Sequence, residues 1–252
     1  MPLTTRQLNQ MLAVVRDVDV HSASTNRHSV IIPIATYSPW NEDKDFLSVF
    51  ETIKDNTLVD IYRCFELWSL SNQVAHLPGD FLEVGVWRGG TGCLLAHRLA
   101  HLNSRQRVYL CDTFSGVVKA GAMDRTYRGG EHADTRVSIV EDLADGLDIH
   151  NYEILQGVFP EQTGDKIADH KFSLCHIDVD VYESARDVLD WVWPRLLVGG
   201  VVIYDDYGFP ACDGVTRLVN ERMETKGALT LHNLNGHAVV IKIASDLGGN
   251  TP

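Results

Sequence analysis

Three aspartates at the ends of two apolar runs are the residues of this sequence best suited to chemistry. One run closes as His176-Ile177-Asp178-Val179-Asp180 and the other as Ile203-Tyr204-Asp205-Asp206-Tyr207. Neighbouring strands lie about 4.8 Å apart, so carboxylates at two adjacent strand ends can meet on one cation. Three acids so close together repel one another, and a divalent ion removes that repulsion. An all-oxygen donor set favours magnesium, with manganese and calcium as alternatives. Asp178, Asp205 and Asp206 are therefore the candidate metal ligands. Asp180 stands just ahead of a helical pattern that starts near Tyr182 and reads as its N-cap. His176 lies deeper in its strand and reads as a hydrogen-bonded core histidine.

A second constellation lies in Asp80-Phe81-Leu82-Glu83-Val84-Gly85-Val86-Trp87-Arg88-Gly89-Gly90, a strand that ends in an acidic, glycine-rich turn and opens a helix. The glycines do not follow the dinucleotide spacing of first, third and sixth places. An acid just ahead of the first glycine repels phosphate and attracts an amino group, which suits a cationic nucleoside such as S-adenosylmethionine. The next strand ends in Cys111-Asp112-Thr113-Phe114. Asp112 there can accept both hydroxyls of a ribose, or simply cap the following turn; Glu83 and Gly85 tip the reading towards ribose. A nicotinamide cofactor fits less well, because its glycine pattern is missing and no Tyr-x-x-x-Lys dyad follows.

Strand-like and helix-like segments alternate after Trp87, as in a mostly parallel sheet with helices on both faces. Strands are expected near 80–86, 107–112, 152–156, 172–179 and 200–205, and helices near 90–102, 136–146, 161–168 and 183–196. Beyond Pro210 a helix leads to Ala228–His232 and Ala238–Ile243, joined by Asn233-Leu234-Asn235-Gly236. That linker predicts a hairpin whose last strand runs antiparallel at the sheet edge, giving seven strands. Residues 3–18 and 44–77 look helical and His21 to Asn41 looks like a loop. The expected division is a helical N-terminal extension and lid over 1–77 and an α/β core over 78–252. A long irregular stretch from Ser115 to about Asp134 reads as a second lid, since it follows a strand end where ligands bind.

The formal net charge of −12 opposes non-specific binding to nucleic acid or to anionic membranes, which leaves a small-molecule partner. No run approaches the ~18 apolar residues of a membrane span and the N-terminus has no apolar signal core, so a cytoplasmic location is expected. Cys64, Cys93, Cys111, Cys175 and Cys212 show no paired spacing and read as buried, reduced thiols. His97 and His101 read as a surface pair, and Trp191 and Trp193 as core filling. Trp40, Phe46, Phe50, Met123, Tyr127 and Phe159 could line a pocket.

Four motifs together resemble the macrocin O-methyltransferase family, which includes mycinamicin and novobiocin sugar O-methyltransferases. They are Gly79 to Gly90, Asp112-Thr113-Phe114-Ser115-Gly116, Ile177-Asp178-Val179-Asp180-Val181-Tyr182, and Gly199-Gly200 through Asp205-Asp206-Tyr207. The resemblance runs from about residue 55 to 243. It implies the class I S-adenosylmethionine-dependent methyltransferase fold, magnesium, and a homodimer or higher homo-oligomer. It assigns the cofactor to Glu83, Gly85, Trp87, Arg88, Gly89, Asp112, Ser115 and Asp178, with Glu83 and the glycine turn on the methionine part and Asp112 on the ribose. Asp178, Asp205 and Asp206 would hold the metal, and Asp178 would also serve as the catalytic base.

The chain departs from the family where Asp112-Thr113-Phe114-Ser115-Gly116-Val117-Val118 stands in place of Asp-Ser-Phe-Gln-Gly-Phe-Pro, and residues 1–50 have no match, so the macrolide substrates do not transfer. The expected reaction is methylation of a small-molecule hydroxyl, on a sugar or natural-product glycoside. Three other readings stay open: a metal-independent methyltransferase, a non-catalytic nucleoside-binding protein that uses the Tyr62 to Trp68 helix as an interaction surface, and a dehydrogenase.

Overall fold

Five apolar runs form the parallel part of the sheet: β1 (Asp80–Val84), β2 (Val108–Asp112), β3 (Tyr152–Gln156), β4 (Phe172–Ile177) and β5 (Leu196–Tyr204). The computed structural model describes residues 6–7, 35–102 and 105–245. β6 (Ala228–His232) and β7 (Ala238–Lys242) complete a seven-stranded sheet of order β3-β2-β1-β4-β5-β7-β6. β7 runs antiparallel to both of its neighbours. The hairpin is therefore as expected, but its last strand is internal and β6 holds the edge. Burial explains the order: Ala238, Val239 and Val240 are all buried, whereas β6 exposes Leu229 and Leu231. A strand with both faces apolar belongs inside the sheet.

Alternation along each strand splits the core into two layers. Phe81, Leu110, Leu174 and Ile203 face α1 (Lys44–Ile53), α2 (Ile61–Val74), α3 (Gly90–His101) and α4 (Val137–Gly146) through Phe46, Trp68, Leu94 and Val140. Leu82, Cys175 and Val202 face α5 (Tyr182–Val192) and α6 (Asp213–Arg222) through Val188 and Leu218. The doubly wound α/β class is thus observed. The 161–168 segment forms only a 3-10 turn over Gly164–Ile167. Asp43 caps α1 and also accepts Trp68 Nε1–H at 3.0 Å, which ties α1 to α2. Asp60 caps α2 by accepting from the amides of Tyr62 and Arg63. All five cysteines are free and buried.

The chain divides into two compact units, Met1–Pro39 and Trp40–Pro252. α1 and α2 belong to the second unit together with the sheet. In the first unit Arg6 and Gln7 are helical; residues 8–34, which hold most of the predicted N-terminal helix and loop, lie outside the described residues. The Tyr62 to Trp68 segment turns Cys64, Leu67 and Trp68 into the core, leaving Tyr62 exposed.

Candidate functional site

Strand order reverses between β1 and β4, and the carboxyl ends at such a switch point form a crevice. Backbone bonds staple the strand ends together there: Gly85 N–H donates to Cys111 O at 3.0 Å, Asp178 N–H to Val84 O at 2.9 Å, and Asp205 N–H to Ile177 O at 3.0 Å. A Cβ on Gly85, whose φ is +92°, would lie 1.6 Å from the Asp178 carbonyl oxygen, so only glycine allows this turn. Above the strand ends lies a cavity of about 310 Å³.

One end of the cavity is built from Gly85, Val86, Trp87 and Asp112. The Asp112 carboxylate accepts the amides of Val86 at 2.7 Å and Trp87 at 2.8 Å on Oδ2, and that of Phe114 at 2.7 Å on Oδ1. Trp87 and Phe114 are both left-handed, at φ +47° and +53°. One carboxylate thus fixes two strained residues on either side of itself; Oδ2 is filled by two amides, and Oδ1, which accepts one, keeps lone-pair capacity. The turn-capping and ribose-facing readings of Asp112 are compatible.

The other predicted cofactor residues are dispersed. Arg88 turns away to pair with Asp134 at 2.6 Å, and Trp87 Nε1–H donates to the same Asp134 at 2.9 Å. Gly89 is the left-handed N-cap of α3 against Val140, and Ser115 is exposed on the loop. Glu83 is wholly buried beneath Gly92 and bonds His176 Nδ1 at 2.9 Å. Of that set, Gly85, Trp87, Asp112 and Asp178 line the cavity, while Glu83, Arg88, Gly89 and Ser115 do not.

The acids adjoin the Gly85 turn, against which the Asp178 carbonyl lies. Asp178, Asp205 and Asp206 present oxygens within 4.8 Å of one another. Burial and the charges of Asp205 and Asp206 push the Asp178 carboxyl well above the usual range, and burial with Asp180 and Asp205 does the same to Asp206. Asp205 differs. Burial works against its charge too, yet the hydrogen bond from His237, the His176 imidazole 3.7 Å away and the Arg63 guanidinium hold it well below the usual carboxylate range. His176 is itself pushed up to about 9: burial opposes its charge, and the nearby Asp205 carboxylate and the bonded Glu83 carboxylate outweigh burial. Among the described residues no Lys, Arg or His lies within ion-pair distance of Asp178 or Asp206, whereas Asp205 pairs with Arg63. Two carboxylates without a cation beside one that has one, all supplying oxygen, fit a hard divalent ion.

Asp180 is not the cap of α5. Its φ is +64°, its N–H donates to Asp206 Oδ2 at 2.9 Å, and its carboxylate faces Cys212 Sγ at 3.7 Å and His132 Nε2 at 4.0 Å. The open amide of Tyr182 is taken instead by Asp124, from the 115–134 loop. That loop is irregular, as expected, and brings Tyr127 and His132 to the cavity wall. Burial and Asp180 raise the Tyr127 hydroxyl, so it stays a phenol and a hydrogen-bond donor. Of the proposed aromatic lining, Tyr127 and Phe159 reach the cavity; Phe46 and Phe50 pack in the core. Arg63, His132, Cys212 and His237 were not among the sequence candidates: Arg63, His132 and His237 meet Asp205 or Asp180 from distant segments, and Cys212 reads locally as a buried thiol.

The family model of the macrocin O-methyltransferases matches residues 55–239. The 8-demethyl-8-(2,3-dimethoxy-alpha-L-rhamnosyl)-tetracenomycin-C 4'-O-methyltransferase of Streptomyces olivaceus is 35% identical over 146 residues, 54% of this chain and 56% of that protein. The demethyldecarbamoylnovobiocin O-methyltransferase of Streptomyces niveus is 32% identical over 180 residues, 66% of each chain. The match thus spans between about half and two thirds of these relatives' own length. The solved structure of the O-methyltransferase NovP superposes with a TM-score of 0.61 at 25% identity, covering 75% of this chain and 83% of NovP. With its glycine turn, its Asp-x-Asp and Asp-Asp-Tyr strand ends and a match across most of its length, the chain belongs to the macrocin O-methyltransferase family.

Proposed function

We propose that this chain is an S-adenosylmethionine- and Mg2+-dependent O-methyltransferase that acts on a hydroxyl of a small molecule, a sugar or a natural-product glycoside. The observation that carries the reading is one cavity lined by two unlike groups: the Gly85 turn with Asp112, and the group Asp178, Asp205 and Asp206. The relatives' names, which specify O-methylation of a rhamnosyl tetracenomycin and of demethyldecarbamoylnovobiocin, support the hydroxyl acceptor.

When bound, S-adenosylmethionine supplies an activated methyl group and magnesium supplies Lewis acidity towards an acceptor hydroxyl. Asp178, Asp205 and Asp206 would hold the ion. The Gly85 turn and Asp112 would hold the donor, with Asp112 accepting from its ribose. The base role that family resemblance gives to Asp178 passes more readily to its neighbour: Asp178 is committed to the ion, and the Asp180 carboxylate faces the cavity beside Tyr127 and His132. Asp180 Oδ2 would take the acceptor's proton. The 115–134 loop, closing the cavity with Tyr127, excludes water and fixes alignment, which is most of what an already activated donor needs.

Methyl transfer from S-adenosylmethionine to a panel of glycosides, polyols and catechols, with and without chelator, tests the proposal. No transfer to any acceptor, with cofactor bound, would leave a nucleoside-binding protein. The metal-independent reading has one observation in its favour, the Arg63 guanidinium already neutralising Asp205, and chelator-insensitive turnover would establish it. The assembly is proposed to be a homodimer in the cytoplasm; native mass spectrometry tests the first part. No described helix is long and apolar enough to cross a membrane.

A further inference from the structure

Asp205 is held by His237, which does not line the cavity, and by Arg63, which does. Its Oδ1 accepts from His237 Nε2 at 2.9 Å, and its Oδ2 pairs with Arg63 Nη1. His237 is fully buried, and its other ring nitrogen, Nδ1, lies 2.6 Å from Glu66 Oε2. Glu66 in turn accepts from the side-chain amides of Asn233 and Asn235, the tip of the β6–β7 hairpin. Asn235 Oδ1 accepts the His237 amide at 2.9 Å, and Tyr207 N–H donates to Gly236 O at 2.9 Å, closing the hairpin tip onto the end of β5. Arg63 is anchored in the same way, its Nε donating to Asp60 at 2.9 Å.

A carboxylate, an imidazole and a second carboxylate in line are the arrangement that orients ligands around a metal from the layer outside it. Asp178 and Asp206 have no comparable support: their nearest fixed partners are a backbone amide and the Cys212 thiol on Asp206. One of the three acids is thus preset before any ion arrives, and the other two are left to be drawn in. We infer that His237, Glu66 and Arg63 are positioning residues that aim the Asp205 carboxylate at the cation group, so that divalent-metal affinity is set in part by the β6–β7 hairpin and α2. The inference rests on the cation site of the proposed function, and its test separates the two.

The experiment is Mn2+ binding to the full chain, followed by the electron paramagnetic resonance of free Mn2+, with S-adenosylhomocysteine binding measured alongside by calorimetry. Wild type is compared with Asp205→Asn, His237→Ala, His237→Gln and Glu66→Gln. Loss of an outer-layer partner commonly costs ~10–100-fold in metal affinity, and that loss is expected for His237→Ala and Glu66→Gln. His237→Gln, whose amide can still donate to Asp205, should recover most of it. Neither His237 nor Glu66 lines the cavity, so S-adenosylhomocysteine affinity should not move, which a general loss of structure would not spare. A folded His237→Ala chain with wild-type Mn2+ affinity overturns the inference. If that variant does not fold, Glu66→Gln decides, and unchanged Mn2+ affinity there overturns it equally. Asp205→Asn with undiminished Mn2+ binding, or a wild type that binds none, instead brings down the cation site itself and the inference with it.

Discussion

Asp124 Oδ1 accepts the backbone N–H of Tyr182 at 2.9 Å, so the first turn of α5 is capped from a loop 58 residues upstream. The other oxygen accepts the Gly121 amide at 2.9 Å, and a Cβ at Gly214 would sit 2.0 Å from Oδ1. One buried carboxylate therefore joins the 115–134 loop to α5 beneath α6. Replacing Asp124 with Ala leaves two amides without acceptors and should cost about 1–2 kcal/mol, the usual worth of such a cap. Urea unfolding should record that loss, and S-adenosylhomocysteine affinity should fall as the loop loosens over the cavity. Unchanged values of both would mean that the loop is held by other contacts.

Asp112 is expected to matter twice. Asp112→Asn keeps the shape but offers one acceptor oxygen where two serve three amides, with Trp87 and Phe114 both left-handed. An amide left facing –NH2 costs about 1–3 kcal/mol when buried. The turn should loosen, lowering the unfolding midpoint and weakening S-adenosylhomocysteine binding together. Weaker binding with no change in stability would assign Asp112 to the ribose alone.

What the sequence made legible follows from the range of the interaction concerned. Apolar runs such as Phe81–Val84 and Phe172–Ile177 fix strands locally, and the Asp178, Asp205 and Asp206 group was foreseeable because parallel register brings neighbouring strand ends together. Edge position was not: whether β6 or β7 lies outermost depends on which strand the rest of the fold covers. Asp180 ahead of a helix has the local pattern of a cap, and only the folded loop reveals that Asp124 occupies that role. Glu83 has the local pattern of a ligand-binding acid, and only the register Glu83↔His176 turns it inward. Arg63 and His237 meet Asp205 across 142 and 32 residues, beyond the reach of any spacing rule.

Removal of the ion or of its ligands should stop turnover without emptying the cofactor end. Asp178→Ala should abolish methyl transfer while S-adenosylhomocysteine still binds, and chelation of wild type should do the same reversibly. Asp180→Asn separates metal from base: it should cut kcat by ~10²–10⁴-fold, the usual worth of general base catalysis, while Mn2+ affinity is kept. An Asp178→Ala enzyme that methylates at near-normal rate in a metal-dependent way would remove Asp178 from the mechanism.

Lys119 ties the loop to two elements at once, pairing with Glu161 and with Asp187 of α5, the latter at 2.9 Å. Burial raises the Asp187 carboxyl, but the bonds from Lys119 and Arg186 outweigh it and leave the group below its ordinary value. A carboxyl depressed on folding adds stability at pH values above its unfolded pKa, about 3.9 for Asp, and loses it as pH falls through the lower folded value. Lys119→Met should remove that component. At neutral pH it should cost no more than about 1 kcal/mol, because Asp187 and Lys119 are partly exposed and water screens the pair. As pH falls below ~4 and on through the lower folded value the difference between variant and wild type should shrink, and it should vanish once the carboxyl is protonated in both. Urea unfolding at pH 7 and at pH ~2, below the depressed value, measures this directly, and a gap that widens in acid would contradict the assigned ion pair.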